Sequence, residues 1–242
     1  MSFFEEDKKQ AEQGNSAAQF NLGIAYLQGN GIDKNLKEAE SWLIKAAQQE
    51  DIEAYSALGS VYMQMENYQK SIEFYELAVD KGSASAEGVL GHIYYLGLYK
   101  DFGINKDYKK AFVLLKKAAS RILGGAPNQA QSQCFLGIMF INAQGTEQNN
   151  EEGIVWLKRS AAHGNSDAEA TLGMAYKEGI VVEKNFDEAY SWLLKAANNN
   201  HAKAQEEIGN WDYVKQENII AERHERIKKG LSWEDADKQA RK

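Results

Sequence analysis

The chain has four histidines and one cysteine, side chains that often bind metals or act as nucleophiles. Cys134 lies in an apolar run, so we interpret it as a small buried hydrophobic side chain. A metal site needs ligands that converge, and no two histidines fall within one helical turn. We therefore predict surface or interface histidines, no metal and no cofactor. The histidines are His92, His163, His201 and His224.

Neither the glycine-containing loops nor the tryptophans indicate a catalytic or ligand-binding site. The loop QGNGIDKN, with Gly29 and Gly31, resembles a phosphate-binding loop only superficially, because it recurs as EGIVVEKN and is better explained as a structural turn. Trp42, Trp156 and Trp192 share one position of a repeated pattern, which indicates core residues rather than a ligand cage. We predict that the protein is not an enzyme.

Composition and charge exclude further classes of protein. With 28 basic and 35 acidic residues, the net charge is -7, which argues against nucleic acid as a partner. No run approaches the roughly 18 apolar residues of a spanning helix, so we predict no membrane insertion. The start, MSFFEEDKKQ, lacks an apolar signal region, and a single cysteine fits a reducing compartment. A soluble, cytoplasmic protein is expected.

The 20 glycines and one proline point to an internal repeat. A Leu-Gly pair recurs with glycine spacings of 36, 32, 46, 36 and 36 residues, with a small residue five positions before each glycine. An aromatic residue follows three positions later in the first five copies. These offsets lie close to one face of a helix, which we name helix A. The helix A glycines are Gly23, Gly59, Gly91, Gly137, Gly173 and, after isoleucine, Gly209.

A second periodic block, helix B, follows each of the first five copies. It carries a small residue, a large apolar residue three positions later and another small residue seven positions later, a stripe suited to close helix packing. Length varies only in the A-to-B loop and in one B-to-A insertion, which contains Pro127. Insertions that spare the helices are typical of stacked repeats. The first small residues of helix B are Ala39, Ser71, Ala111, Gly153 and Ala189.

The run A-x-x-x-L-G-x-x-Y, followed by the loop and then A-x-x-W-L-x-K-A-A, resembles the Sel-one-like repeat of the tetratricopeptide-repeat-like superfamily. Residues 17–51 and 167–201 match almost position for position, 52–83 are shortened, 84–128 carry a long loop, and 129–166 lack the second loop glycine. The resemblance implies an all-α fold, a right-handed superhelical solenoid of antiparallel helix pairs.

The repeats divide the chain into three expected parts. Residues 1–16 resemble a lone helix B that forms an N-terminal capping helix, and residues 17–209 hold five repeats plus the start of a sixth at 202–209. From Asn210 the pattern fades, and 210–242 are expected to form C-terminal capping helices. Ser232 and Asp235 form a pattern like a capping box there.

The resemblance implies a protein-protein interaction adaptor or scaffold that holds a protein or peptide partner. If helix A lines the concave side, helical phase predicts a mixed polar and apolar partner-binding surface, suited to a protein epitope. The predicted residues are Asn21, Ile24, Ser60, Gln64, His92, Tyr95, Ile138, Asn142, Met174, Lys177, Asn210 and Tyr213.

Two alternatives remain open. The small acidic chain is compatible with an immunity protein that inhibits a secreted bacterial toxin effector, in keeping with a bacterial origin. A weaker alternative, a metal-dependent enzyme or regulator, rests on His92 and Cys134 in neighbouring helix A positions. The sequence does not specify the partner, the pathway, the oligomeric state or the role of the C-terminal segment.

Overall fold

The computed structural model describes residues 3–121, 127–211 and 224–230, together with the single residues 232, 235 and 239. These residues are mainly helical, and within them the only β pairing is one isolated bridge between Tyr99 and Ile104. The predicted all-α fold of tandem helix pairs is confirmed. The helices are α1 (Phe3–Glu12), α2 (Ser16–Gln28), α3 (Leu36–Gln48), α4 (Ile52–Gln64), α5 (Tyr68–Asp80), α6 (Ala84–Leu96), α7 (Tyr108–Ser120), α8 (Pro127–Ile141), α9 (Asn150–Ala162), α10 (Ser166–Glu178), α11 (Phe186–Asn198) and α12 (Ala202–Gly209), and a 3-10 turn spans Lys100–Phe102.

The chain forms two compact units, Met1–Asn149 and Asn150–Lys242, a division that the repeat pattern does not predict. In the first unit α1 packs on α2, and the pairs α2/α3, α4/α5 and α6/α7 follow, with each helix B also packing on the next helix A. In the second unit α9 packs on α10, α10 on α11 and α11 on α12. None of the helices among the described residues has the length and apolar character needed to cross a bilayer.

Side-chain caps set where most of these helices begin. The residue before the helix accepts a hydrogen bond from a backbone N–H of the first turn, which satisfies a donor that has no partner within the helix. Short polar side chains at these positions therefore fix the start of each helix. The capping residues are Asn15, Asn35, Asp51, Asn67, Ser83, Asp107, Asn165, Asn185 and His201.

Four of the helix A glycines lie against one residue of the following helix B, which comes four positions after the first small residue of that helix. A Cβ on Gly59 would lie 2.8 Å from ring carbons of Tyr75, closer than real Cβ contacts allow. The same close approach pairs Gly23 with Leu43, Gly91 with Leu115 and Gly173 with Leu193. By contrast, nothing among the described residues lies within 4 Å of a Cβ placed on Gly209, the last helix A glycine.

The sequence analysis predicted that the loop after α8 lacks the second of the two loop glycines, and the structure shows that this prediction is wrong. Ala143 stands at the first left-handed position with φ 53°, and Gly145 holds the second with φ 74°. A Cβ on Gly145 would lie 2.0 Å from the carbonyl oxygen of Tyr108, so glycine is required there. The missing glycine is therefore the first. In the loop after α10, Val181 holds the second position with φ 63°, a strained conformation for a β-branched residue.

The C-terminal segment is described only in part. Gly230 ends a helical stretch with φ 93°, and the backbone N–H of Asp235 donates to Ser232 Oγ at 3.2 Å. The predicted capping helices over 210–242 otherwise fall largely outside the described residues.

Replacement of Gly59 tests the helix contact. Gly59→Ala is expected to lower the free energy of unfolding by about 1–3 kcal/mol, because the added methyl meets the buried ring of Tyr75. Gly209→Ala is the matched control, and it should leave stability unchanged or raise it by up to about 1 kcal/mol through helix propensity. Urea denaturation of the two variants measures the difference, and equal effects would contradict the proposed contact.

Candidate functional site

In each of the two units the A helices present partly exposed residues, which we call the helix A surface of that unit, and these include the predicted partner-binding positions that the structure describes. Four of them are exposed: Asn21, Gln64, Asn142 and Asn210. Seven are half-buried: Ile24, Ser60, His92, Tyr95, Ile138, Met174 and Lys177. Tyr213 lies outside the described residues. The leucines of the Leu-Gly pairs, on the same helices, are buried. The helical phase used in the prediction therefore separates the partly exposed residues from the buried leucines.

In the first unit, His92 and Tyr95 of α6 meet Phe135 of α8, and Tyr108 of α7 also lies beside them. The ring of Phe135 lies 4.7 Å from that of His92 and 4.8 Å from that of Tyr95, measured between centroids. Tyr95 also lies 5.6 Å from Tyr108. Phe135 was not among the predicted site residues, although it lies next to Cys134 in the sequence. These ring contacts join α6 to α7 and α8.

Burial lowers the pKa of His92 from 6.5 to about 4, so the imidazole is neutral at neutral pH. Its Nε2 atom is buried and has no hydrogen-bond partner among the described residues. Cys134 is 1% exposed. Within the described ranges, no group of three or more His, Cys, Asp or Glu side chains is arranged to hold a metal ion.

Other predicted residues make structural contacts as well. Ser60 Oγ lies 2.8 Å from the hydroxyl of Tyr75, beside the Gly59 contact. Ile24 packs against the core between α2, α3 and α4. In the second unit, Lys177 forms a salt bridge with Glu207, which ties α10 to α12. Part of the predicted surface therefore serves helix packing, and the exposed asparagines and glutamine are its most accessible part.

A row of polar residues that the sequence reasoning missed lies four positions before each helix A glycine. Four of these side chains donate to a backbone carbonyl in the last turn of the preceding helix, a group that has no partner within that helix. These bonds are Gln19 to Ala11 (3.1 Å), Tyr55 to Ala47 (3.0 Å), Gln133 to Ala119 (3.3 Å) and Gln205 to Ala197 (3.1 Å). The residue types differ, but the fixed offset from the glycine would have revealed the row.

The remaining two members of the row, Glu87 and Glu169, are carboxylates that accept instead. Asn199, just after α11, donates to Glu169 at 2.9 Å. Arg121, just after α7, donates to Glu87 through Nε and Nη2, both at 3.0 Å, and through Nη2 to the carbonyl oxygen of Gly82 at 3.0 Å. The bonds to Glu87 and Glu169 join helix A to the end of the helix B that follows it.

The Glu87–Arg121 pair is asymmetric in burial, because the Glu87 side chain is 4% exposed and the Arg121 side chain is 36% exposed. A buried carboxylate is costly unless its lone pairs are satisfied, and the two parallel bonds from Arg121 satisfy both oxygens. The hydrogen bond to Glu87 also raises the pKa of Arg121. The pair thus fixes α6 against the end of α7.

Comparisons with known proteins agree with this architecture. Five segments of the chain match the Sel1 repeat family: 16–51, 52–83, 84–121, 130–165 and 166–201. The Sel1-repeat-containing protein YjcO of Escherichia coli K12 is 28% identical over 157 residues, which cover 64% of each chain. The chain thus spans just under two thirds of that relative. HRD3B of Arabidopsis thaliana, an ERAD-associated E3 ubiquitin-protein ligase component, is 31% identical over 108 residues, which cover 42% of this chain and 16% of HRD3B.

Two solved structures are similar in fold. A protective antigen present in uropathogenic Escherichia coli strains, which displays an SLR fold, superimposes with a TM-score of 0.75 at 28% identity. The match covers 88% of this chain and 44% of that protein. A Sel1 repeat protein from Oxalobacter formigenes gives a TM-score of 0.69 at 30% identity, covering 81% of this chain and 78% of that one.

Removal of the Arg121 side chain tests the ion pair. Arg121→Leu leaves the Glu87 carboxylate buried without its partner, and we expect a loss of about 3 kcal/mol in unfolding free energy, the lower end for a buried pair because Arg121 is partly exposed. Adding Glu87→Gln should restore most of that loss, since a glutamine at this position can donate to the preceding helix as Gln133 does. A loss under about 1 kcal/mol in urea denaturation would mark an ordinary surface pair.

Titration of stability tests the burial of His92. Its pKa is about 4 in the folded chain and about 6.5 when unfolded, so the unfolded state binds a proton first as the pH falls. The unfolding free energy of the native chain should therefore drop between pH 6.5 and pH 4 by about 3 kcal/mol more than that of His92→Phe. Denaturation at each pH measures the unfolding free energy of both proteins. If the two free energies change equally with pH, the imidazole is solvated and the prediction is wrong.

Proposed function

Because this chain belongs to the Sel1 repeat family, we propose that it is an adaptor or scaffold that binds a protein or peptide partner on the helix A surface. Sel1 repeats mediate protein-protein interactions, and stacked helix pairs supply an extended surface for that purpose. The proposal assigns binding to the helix A residues and assigns no reaction to them. The HRD3B relative, a named component of a larger ligase, supports a role in assembly.

One observation carries the proposal. Every predicted helix A residue that the structure describes keeps part of its surface exposed, whereas the leucine before each of the first five helix A glycines is buried. Asn21, Gln64 and Asn142 of the first unit are exposed polar side chains, and Ile24 and Tyr95 add partly buried apolar surface. Aromatic and apolar residues beside uncharged polar ones are a common composition for a protein interface.

The narrower hypotheses stay predictions. The net charge of -7 supports an immunity protein only in the sense that it suits a basic toxin effector. The lack of catalysis, the cytoplasmic location and the absence of a nucleic-acid partner likewise stay predictions. His92 packs on Phe135, so the metal-dependent alternative gains no support from that imidazole.

Partner capture with matched variants tests the proposal. The full chain serves as bait, and the triple variant Asn21→Arg, Gln64→Arg, Asn142→Arg places three charges on the helix A surface of the first unit. We expect this variant to lose the captured partner by at least tenfold in quantitative mass spectrometry, because each charge would have to be desolvated at the interface.

The control variant adds the same charge elsewhere. Ser41→Arg, Gln48→Arg and Gln69→Arg alter exposed positions of α3 and α5, and this variant should retain the partner. Retention by both variants, or loss by the control alone, would place binding elsewhere on the protein. A basic secreted toxin as the captured partner would favour the immunity hypothesis.

A further inference from the structure

The outer face of α7, a helix B of the first unit, carries four lysines and no acidic residue. Val113 lies at the centre of this face and is 54% exposed. The lysines precede and follow it by three and four positions, which places all five side chains within about one third of the helix circumference. The face belongs to helix B and is separate from the helix A surface that carries the proposed function. The lysines, all exposed, are Lys109, Lys110, Lys116 and Lys117.

The other B helices do not share this charge. The outer face of helix B takes six positions of the repeat, which lie two and one before the first small residue and two, five, six and nine after it. The net charge of these six side chains is +1 in α3, -2 in α5, +4 in α7, 0 in α9 and -1 in α11. The repeats stack with any of these charges, so stacking does not require the four lysines of α7.

Two of the lysines are unfavourable for the helix itself. Lys109 and Lys110 lie in the first turn of α7, where the positive end of the helix dipole favours acidic side chains. The first turns of α3, α9 and α11 carry aspartate or glutamate, whereas that of α7 carries neither. Asp107, which caps α7, can offset only one of the four charges. Helix stability therefore does not account for these lysines.

Contacts within the chain do not account for them either. No salt bridge joins any of the four lysines to an acidic residue of the described ranges. Lys110 Nζ lies 4.9 Å from the centroid of the Tyr94 ring, and Lys116 Nζ lies 5.7 Å from that of Phe112. A ring contact leaves the charge of the ammonium group in place. The face therefore presents four positive charges around one exposed apolar side chain.

We propose that the outer face of α7 binds an acidic segment of a partner protein, with an apolar residue against Val113 and carboxylates on both sides of it. Carboxylates placed beside the lysines relieve the repulsion among the four positive charges. Burial of Val113 adds apolar area that is exposed in the chain by itself. The face is about 12 Å long from Lys109 to Lys117, which about two turns of a partner helix span.

The neighbouring helix favours a narrow acidic segment over a broad anionic surface. Glu76 and Asp80 of α5 lie across a groove from Lys109 and Lys110. A membrane or a nucleic acid duplex on α7 would bring phosphates toward these two carboxylates as well, and the net charge of -7 repels a polyanion as it approaches. A single protein segment can lie along α7 alone, so the charges match a protein partner better.

Peptide titration of the full chain tests the proposal. The probe is the blocked peptide Glu-Glu-Ala-Ala-Leu-Ala-Ala-Glu-Glu, which repeats the spacing of the lysines and Val113 and reads the same in both directions. At low salt we expect saturable shifts of the Val113 NMR signals, with a dissociation constant in about the millimolar range. Alanine in place of the leucine should weaken binding about threefold, and lysine in place of the glutamates should abolish it. No saturable shift with the glutamate peptide would overturn the proposal.

Charge reversal at matched positions tests where the peptide binds. Lys109→Glu with Lys117→Glu should weaken binding about tenfold, because each change replaces an attraction by a repulsion. Lys37→Glu with Lys45→Glu makes the same change at the equivalent positions of α3 and should leave binding unchanged. Both variants alter the net charge equally, so equal effects would contradict the proposed position. If the α7 variant does not fold, Lys109→Ala with Lys117→Ala should still weaken binding about threefold, and unchanged binding would overturn the proposal.

Phosphatidylserine-containing vesicles and a short DNA duplex are the rival probes, titrated at the same salt concentration. If either one shifts the Val113 signals at a lower concentration of negative charge than the peptide does, the face binds a phosphate surface and the partner proposal is wrong. The reverse order supports an acidic protein segment. Neither outcome affects the helix A proposal, whose variants lie outside α7.

Discussion

The close contact between a helix A glycine and one residue of helix B is the constraint on which the repeats depend. In four pairs the glycine faces a side chain that is 1% exposed or less, Leu43, Tyr75, Leu115 or Leu193. Because a methyl group would overlap that side chain, the position fixes how near the two helices lie. The same separation then recurs from pair to pair, and each pair can bury its neighbour with the same residues.

Helix ends impose a second constraint, because the last carbonyls of each helix lack partners within it. The polar row four residues before the glycine satisfies some of them, as Gln19 and Gln133 do, and joins each pair to its neighbours. Where the row carries a glutamate, the direction of the bond reverses and Arg121 or Asn199 donates. Buried polar atoms thereby define the register between helices, which apolar packing alone defines less sharply.

The helix pairs could be predicted from sequence because their period is carried by residue types that recur, glycine and alanine above all. The polar row does not recur as a residue type, since Gln, Tyr and Glu satisfy the same requirement by different bonds, and only its fixed offset from the glycine marks it in the sequence. The exposed positions of the helix A surface could be predicted from their offsets to the glycine, but the contacts that their side chains make could not. His92 and Tyr95 meet through Phe135, and only the position of α8 beside α6 brings those rings together. The loop after α8 was misread because alanine tolerates the left-handed conformation at a position where glycine is usual.

Stacking fixes the regular positions of each repeat, so departures from the pattern show which positions the helix contacts do not require. The third repeat departs most. Leu114 replaces an aromatic residue, and the long loop after α6 brings Tyr99 within 4.2 Å and Phe102 within 4.5 Å of the Tyr68 ring. Neither feature is needed for the glycine contact, which Gly91 and Leu115 make as in other pairs. The glycine contact therefore does not constrain the third position after the first small residue of helix B or the length of the loop after helix A, so both can vary while the repeats still stack.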